Sequence, residues 1–435
     1  MLDNMLDIYD INYEYCSEKL GILNLPSSNL PRKGIVYRLL SQIKGVLKYG
    51  LSFNKKGLLQ KKSILFFHIS QNELNSVKAI VSKLPNASLF GNDNYKNGYP
   101  IGKIYWFSLF FIPCVFYQYF RCKNLYYKRA FSYAFDGFCI AYASKYILRS
   151  YLKKLQPSQI IIANQLSCYH RSLAYAAKEL GIKTVYIQHA SITEQFSNLN
   201  LFSSALLEGK DSLNKYQRNG TCNTQLYLIG MPKFDQYFSK VKKNVEIHSI
   251  GICTNGLDDF EPYEKLLKLL SSKMPYIKVF IRPHPADRRK DDWYELSKKY
   301  NSHFSDVLKR EAFEFFEEVD LVIAGDSNIH LEATLLNIPS IYFDPFHNKV
   351  DWYGFAKNNL VYYSNNVSEL YEYISEISAL SGNVRQRAKF YVETVDTIFD
   401  GKSSELATKI IRGDDVHDLF SITIDSEGNT IYRIN

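Results

Sequence analysis

The C-terminal half of the chain alternates short apolar runs with longer segments of helical periodicity. Between residues 245 and 345, the apolar runs IHSIGICTN, IKVFIRPHP and VDLVIAGDS each precede a segment with apolar residues every three or four positions. A similar pair begins earlier, where SQIIIAN is followed by a helical stretch that should stop at Gly181. Strands that alternate with helices indicate a parallel sheet with helices on both faces.

The length of the chain, 435 residues, exceeds what one hydrophobic core usually serves. The strand and helix pattern is interrupted at the polar segment DQYFSKVKKNV, residues 235–245. We therefore predict two Rossmann-like α/β domains, residues 1–240 and 241–435, whose parallel sheets face a cleft. The tail FSITIDSEGNTIYRIN should form a hairpin across its Glu-Gly-Asn segment.

Basic residues concentrate in the N-terminal half of a chain whose net charge is +9. Residues 32–62 contain nine Lys and Arg and no Asp or Glu, and residues 94–178 contain twelve basic residues and one acid, Asp136. Such a half predicts an anionic partner: a membrane surface, nucleic acid or a phosphorylated substrate. The stretch YRLLSQIKGVLKYGL has the spacing of an interfacial amphipathic helix, although a simple solvated helix fits the spacing as well.

One uncharged segment, IYWFSLFFIPCVFYQYF, spans the 17 residues 104–120. A spanning helix needs about 20 apolar residues, and this segment contains Pro113, so we expect a buried or interfacial helix. The acidic N-terminus does not resemble a secretory signal. Seven scattered cysteines without a CxxC pair are typical of free thiols in a reducing cytosol. We therefore expect a cytoplasmic protein, peripheral at the inner face of the cell membrane.

Polar residues stand where predicted strands end, and ligands of open parallel sheets bind beyond those carboxyl ends. In VFIRPHPADRR, Arg282 is a candidate anion ligand, and His284 lies between two prolines that restrict its backbone. A histidine held in this way can stabilise charge that develops on a leaving phosphate. The alternative is a turn with an exposed histidine.

The segment AGDSNIHLEATLLNIP places a strand-to-helix turn at Gly325, Asp326 and Ser327. Ser327 is a candidate N-cap, which would leave the amide of Asn328 free to bind a phosphate at the helix N-terminus. Capping alone also accounts for this serine. Glu332, about one turn further along the helix, is a candidate capping-box partner or a ligand for a ribose.

Two candidates for a general base lie in the segment IQHASITEQF: His189, which ends a predicted strand, and Glu194, which follows it. Either side chain would serve as a base, and a strand-end histidine bonded to the backbone is an equally good interpretation. Asp258 and Asp259 more simply begin a helix and are a third choice for acidic chemistry.

The order of AAKELGIKTVYIQHA, LIGMPKFD, IRPHP and AGDSNIHLEATLLNIP resembles bacterial GT-B transferases of cell-surface polysaccharide assembly. The resemblance covers about residues 155–350. It includes sialyltransferases, Kdo transferases and CDP-glycerol glycerophosphotransferases, which share a His-Pro motif.

The resemblance implies roles for individual residues. His284 would contact the donor phosphate, Ser327 would bind the same phosphate, and His189 would lie where the glycerophosphotransferases have their base, although Ala190 replaces the usual Gly. The acidic triplet that sialyltransferases use as a base does not occur in the N-terminal half. GT-B enzymes generally need no metal, and no DxD motif or metal-ligand spacing occurs here, so we expect neither metal nor cofactor.

These observations predict an inverting glycosyltransferase of capsule, O-antigen or lipooligosaccharide synthesis. The favoured donor is a CMP-linked acidic sugar such as CMP-sialic acid, and the acceptor is a glycan or lipid-linked glycan. A CDP-glycerol or ribitol-phosphate transferase and a UDP-sugar transferase remain alternatives. In another functional class, the chain would be a non-catalytic protein that binds nucleic acid or a partner; no nucleic-acid motif occurs in the sequence.

Overall fold

The computed structural model describes residues 34–50, 63–91, 98–125, 128, 131–132, 134–194, 196–243, 246–256, 258–347, 351–379 and 383–435. They form two compact units. The first unit takes the chain up to Lys233 together with Lys402–Asn435, and the second unit is Phe234–Gly401.

The first unit is built on an eight-stranded sheet in the order β2-β1-β3-β4-β5-β6-β14-β13. Every neighbouring pair is parallel except β13 and β14. The strands are β1 (Ile64–His68), β2 (Ala87–Gly91), β3 (Gln159–Ile162), β4 (Lys183–Ile187), β5 (Ser204–Leu207), β6 (Gln225–Leu228), β13 (Phe420–Ile424) and β14 (Thr430–Ile434).

Helices cover this sheet. They are α1 (Ile35–Tyr49), α2 (Gln71–Val81), α3 (Ile101–Ser108), α4 (Ile112–Arg121), α5 (Phe135–Leu155), α6 (Cys168–Glu179), α7 (Lys210–Arg218) and α13 (Ser403–Arg412). All four residues of β3 are buried, as expected for a parallel strand with helices on both faces. Ser167 caps α6, and Gly181 follows it with a positive φ of 67°, so the predicted stop is confirmed.

The second unit has a six-stranded parallel sheet in the order β12-β11-β10-β7-β8-β9. Its strands are β7 (Ser249–Thr254), β8 (Lys278–Pro283), β9 (His303–Phe304), β10 (Leu321–Ala324), β11 (Ser340–Phe343) and β12 (Tyr362–Ser364). Its helices are α8 (Phe260–Lys273), α9 (Lys290–Lys299), α10 (Ala312–Phe315), α11 (Ile329–Leu335) and α12 (Val367–Ala379). The predicted α/β class with mostly parallel sheets is confirmed in both units.

The C-terminal segment does not belong to the second unit, so its assignment to a domain of residues 241–435 is wrong. The predicted hairpin forms, but β14 pairs in parallel with β6 of the first sheet. The side chain of Asn429 accepts from Thr224 N at 3.0 Å and donates to Thr221 O at 2.7 Å. Without β14, the backbone N–H and C=O groups along the free edge of β6 would lack partners, and β14 forms hydrogen bonds with them.

The apolar segment 104–120 forms two helices. α3 ends at Ser108, a short 3₁₀ turn (Leu109–Phe111) follows, and α4 then carries Pro113 in its first turn. Within the described residues, no helix has the length and apolar character that crossing a membrane requires.

We predict that Asn429→Ala destabilises the first unit by about 2–3 kcal/mol, because the buried Thr224 N–H and Thr221 carbonyl lose their partner. Urea unfolding followed by tryptophan fluorescence and circular dichroism measures the change. Ser421→Ala, on the exposed side of β13, is the matched control and should change stability by less than about 0.5 kcal/mol. Equal effects of the two substitutions would contradict a structural role for the Asn429 contacts.

Candidate functional site

His284 follows β8 at the carboxyl edge of the second sheet, and its backbone N–H donates to Thr254 O at 2.7 Å. The ring Nδ1 accepts from Ala286 N at 3.1 Å, so the proton of the neutral imidazole is assigned to Nε2. Desolvation by the surrounding chain lowers the pKa of His284. The side chain is exposed and presents an N–H donor that is available to a ligand.

Asp287 and Arg289 hold the loop that carries His284. Asp287 is 4% exposed and accepts from Arg289 Nη2 at 2.9 Å and from Trp293 Nε1 at 3.1 Å. Arg289 then donates to Asn255 O at 3.0 Å and to Asp258 O at 2.8 Å. Arg289 therefore links the loop that follows β8 to the loop that follows β7. In the sequence, the Asp-x-Arg spacing of residues 287–289 is the signal that could have indicated this link.

Arg282 lies on β8 but is committed to protein contacts. Its guanidinium is buried and donates to Ser305 Oγ at 3.0 Å and to Arg310 O at 2.8 Å. It also lies 5.1 Å from the ring centroid of Phe315. Burial lowers its pKa. These contacts give Arg282 a role in fixing the loop after β9, and they do not favour the predicted role as an anion ligand.

The turn after β10 differs from the prediction at Ser327. Asn328, not Ser327, is the N-cap of α11, and it makes no side-chain capping bond. Ser327 Oγ accepts from Ile329 N at 3.4 Å, a weak local contact. Glu332 accepts from Asn328 Nδ2 at 3.4 Å. The short α11 of seven residues leaves Ser327 in the loop.

A buried histidine that the sequence analysis missed holds Gly325. His330 is 0% exposed, and its Nε2 donates to Gly325 O at 2.9 Å while Nδ1 accepts from the Ser340 hydroxyl. Burial lowers the pKa of His330 to about 4, so the ring is neutral at physiological pH. Gly325 has no room for a side chain, because a Cβ would lie 2.9 Å from Asp258 Oδ1.

Asp326 is the most perturbed carboxyl group at this edge. Burial, reinforced by the carboxylates of Asp351, Asp344 and Asp258, raises the pKa of Asp326 to about 7. Its Oδ2 accepts from Trp352 N at 3.2 Å, and its buried Oδ1 has no hydrogen-bond partner in the described part of the chain. Among those residues, no group of three or more His, Cys, Asp or Glu side chains is arranged to hold a metal ion.

In the first unit, His189 follows β4 at the carboxyl edge of its sheet. Its Nδ1 is fully buried and has no hydrogen-bond partner among the described residues, although part of the side chain is accessible. Burial lowers the pKa of His189 to about 4; Glu73 opposes the shift and Lys233 adds to it. His189 is therefore a neutral imidazole that is partly accessible at this edge of the sheet, and a backbone hydrogen bond with Ala163 opposes the lowering of its pKa.

A buried network lies at the same edge of the first sheet. Glu73, in the first turn of α2, accepts from Ile69 N at 2.7 Å and from Asn164 Nδ2 at 3.0 Å. Its Oε2 lies 3.0 Å from His170 Nε2, and His170 Nδ1 lies 2.5 Å from Ser167 Oγ. Burial alone would raise the pKa of Glu73, but His170 and the hydrogen-bond donors hold it well below its usual range.

This network was missed because its members lie about 100 residues apart in the sequence: Glu73 and His170 are separated by 97 positions. By contrast, Glu194 lies at the surface, with 59% of its side chain exposed, in an ion pair with Arg218 at 3.0 Å. This location does not favour Glu194 as a base. Asp258 accepts from Asn255 N at 2.7 Å and Asp259 is the N-cap of α8, so both mainly shape the loop after β7.

No protein-family model matches the chain, and no curated protein matches its sequence. Among solved structures, it is similar to a protein assigned as UDP-N-acetylglucosamine 2-epimerase from Listeria monocytogenes, with 8% identity, a TM-score of 0.53, and coverage of 82% of this chain and 98% of that chain. A UDP-GlcNAc 2-epimerase from Methanocaldococcus jannaschii matches with 13% identity, a TM-score of 0.50 and coverage of 81% and 100%.

The wall teichoic acid polymerase TagF, in a structure of a variant soaked with CDPG, matches with 12% identity and a TM-score of 0.50. The match covers 87% of this chain and 96% of the TagF chain. These similarities establish the fold of the chain as GT-B type.

We predict that Asp326→Asn changes how stability depends on pH. The folded-state pKa of Asp326 is about 7, whereas that of an unfolded Asp is about 3.9. The stability contributed by protonated Asp326 is therefore complete below the unfolded pKa and is lost as the pH rises through the folded value. Asparagine keeps the acceptor for Trp352 N but cannot ionise.

The stability difference between the variant and the natural protein should therefore shift in favour of the variant by about 2–3 kcal/mol between pH 5 and pH 8. Urea unfolding at both pH values measures this. Glu372→Gln, at an exposed position in α12, is the control and should show no such pH-dependent difference. A constant difference between Asp326→Asn and the natural protein would contradict the titration of Asp326 in this range.

Proposed function

We propose that this protein is a transferase that moves a group from a nucleotide-linked donor to a glycan acceptor. The observation that carries the proposal is a neutral imidazole at the carboxyl edge of each sheet. His284 presents an Nε2–H donor, and His189 is a neutral, partly accessible imidazole. A donor of hydrogen bonds and an acceptor of protons are the two groups that an inverting group transfer requires.

On the donor side, His284 hydrogen-bonds to a phosphate oxygen whose negative charge grows as the bond from the sugar to that phosphate breaks. The bond between Ala286 N and Nδ1 fixes the ring and its tautomer before the donor binds, so no reorganisation is required. Arg289 and Asp287 hold the loop, and His330 holds the turn at Gly325. The hydroxyl of Ser327 and the amide of Asn328 are further donors for the phosphate.

On the acceptor side, His189 receives the proton of the attacking hydroxyl as the new carbon–oxygen bond forms. The nucleotide leaves with the electron pair of the broken bond, so one displacement inverts the configuration of the reacting carbon. Burial keeps His189 unprotonated at neutral pH, and the charge of Glu73 favours the imidazolium that forms. The neighbouring Glu73–His170 pair thus acts electrostatically on the base.

The favoured donor remains a CMP-linked acidic sugar, on the strength of the motif resemblance, with a role in capsule, O-antigen or lipooligosaccharide synthesis at the inner face of the cell membrane. A CDP-linked polyol phosphate is the second candidate, because the chain covers 96% of the TagF chain with a TM-score of 0.50. The similarity to UDP-GlcNAc 2-epimerases keeps UDP-sugars among the donors to be tested.

We expect one nucleotide among CMP, CDP, UDP and GDP to stabilise the protein thermally. A ligand at 100 times its dissociation constant adds about 2.7 kcal/mol. His284→Ala should reduce this stabilisation, because the N–H donor to the phosphate is lost. His248→Ala is the matched control. His248 is an exposed histidine of the same unit, and its ring contacts the carboxylate of Glu246.

A CMP-specific shift supports the favoured donor, and a CDP- or UDP-specific shift replaces it. Absence of any nucleotide shift would contradict the transferase proposal. Interconversion of UDP-GlcNAc and its epimer without an acceptor would identify an epimerase instead.

We further expect His189→Asn to lower kcat for nucleotide release from the stabilising donor by about 10²–10⁴-fold, the usual contribution of a general base. Glu194→Gln should leave kcat within about threefold, because its carboxylate lies in an exposed ion pair that contributes little. Rates are measured with acceptor glycans and with water. The opposite ranking of the two variants would assign the base to Glu194.

A further inference from the structure

Helix α1 carries an exposed stripe of apolar residues and buries a polar one. Val36, Leu40, Ile43 and Leu47 recur at helical spacing and are 72%, 62%, 51% and 67% exposed. Gln42 is 1% exposed and donates to Ser108 Oγ at 2.9 Å. On its inner side, Val46 is 5% exposed and Ile35 and Leu39 pack against a buried cluster, so the exposed stripe is a second apolar side of the helix. The outward-facing stripe of α1 is therefore apolar, although its side chains do not contribute to the hydrophobic core.

The segment from α3 to α4 buries Ile101, Ile104 and Val115 but also exposes large aromatic side chains. Ser108 is fully buried, whereas Trp106, Phe110, Tyr117 and Phe120 are 51%, 76%, 55% and 72% exposed. Tyr117 and Phe120, three residues apart in α4, lie on one side of that helix. The rings of Phe107 and Phe110 lie 5.7 Å apart, so the exposed aromatic residues form a group.

The two helical elements adjoin within the first unit. Tyr49 of α1 stacks on Tyr105 of α3 with ring centroids 5.0 Å apart. The exposed Trp106 donates its indole N–H to Gly50 O, directly after α1, at 3.3 Å. We call the exposed side chains of α1, α3, the 3₁₀ turn and α4 the aromatic–basic face. It holds ten of the twenty large hydrophobic side chains that are exposed in the described chain.

The charges on these four segments have one sign. They contain five basic residues, Arg38, Lys44, Lys48, Lys103 and Arg121, and no acidic residue. Lys44 and Lys48 lie one helical turn apart beside the stripe of Leu40, Ile43 and Leu47. An exposed apolar patch rimmed by charged residues marks an interaction surface. Here the partner must accept apolar side chains and carry negative charge.

We propose that the aromatic–basic face docks on the surface of an anionic lipid bilayer. Leucine, isoleucine and aromatic side chains enter the boundary between headgroups and acyl chains, while the lysines remain at the level of the lipid phosphates. Aromatic rings are enriched at this depth of a membrane. This inference does not depend on the proposed transferase activity, because it follows from the surface of the first unit alone.

Co-sedimentation of the full chain with vesicles tests the proposal. Vesicles of about one part phosphatidylglycerol to two parts phosphatidylcholine are compared with pure phosphatidylcholine. We expect binding to the anionic vesicles that weakens with added salt, since exposed charges are screened over about 10 Å at 0.1 M. Leu40→Gln combined with Phe110→Gln should weaken binding at least tenfold, which corresponds to about 1.4 kcal/mol.

Two further variants separate the electrostatic contribution of the lysines from the contribution of the apolar side chains. Lys44→Glu combined with Lys48→Glu should abolish the preference for anionic lipid. Leu308→Gln combined with Ile398→Gln removes two side chains of the second unit that are each 75% exposed, and it should leave binding unchanged. Circular dichroism and thermal unfolding establish that each variant is folded, and nucleotide binding is measured separately.

The proposal is overturned if the natural chain binds neither kind of vesicle. It is also overturned if the Leu40 and Phe110 substitutions weaken binding no more than the Leu308 and Ile398 substitutions. A different result would be a dimer in solution that the Leu40 and Phe110 substitutions dissociate, together with no binding to vesicles. In that case a second copy of the chain occupies this face and the lipid assignment is wrong.

Discussion

Parallel pairing of strands governs where chemistry can be located in this protein. Every helical crossover returns the chain to the same end of the sheet, so successive strands all release their next residues at one edge. In the second unit this brings Thr254, His284 and Gly325 to one edge, and in the first it does the same for Asn164 and His189. Backbone geometry thus collects polar groups from segments far apart in sequence.

The strand and helix alternation was readable from the sequence because it is local. The strands β3, β7, β8 and β10 each show a short apolar run before a helical segment, and the structure has them there. The pairing of β14 with β6 could not be predicted from the sequence, because no residue pattern near 420–435 indicates which sheet edge is open. Strand order is a property of the folded chain.

Side-chain roles were harder to predict than strand ends. Arg282 was chosen as an anion ligand for its charge, yet its buried position made Ser305 and Arg310 its partners. Ser327 was chosen as an N-cap by residue type, but α11 begins one residue later. Glu73 and His170 left no local signal, because their partnership depends on β1 and β3 lying side by side.

The position of β14 also bears on the order in which the protein is made. A ribosome delivers all of Phe234–Gly401 before β13 and β14 emerge, so the second unit is able to fold while the first sheet still ends at β6. During that interval β6 is an open parallel edge, and open edges pair with other chains. Synthesis of the first unit is thus interrupted by an entire domain, which gives the nascent chain a period of vulnerability that a contiguous domain would avoid.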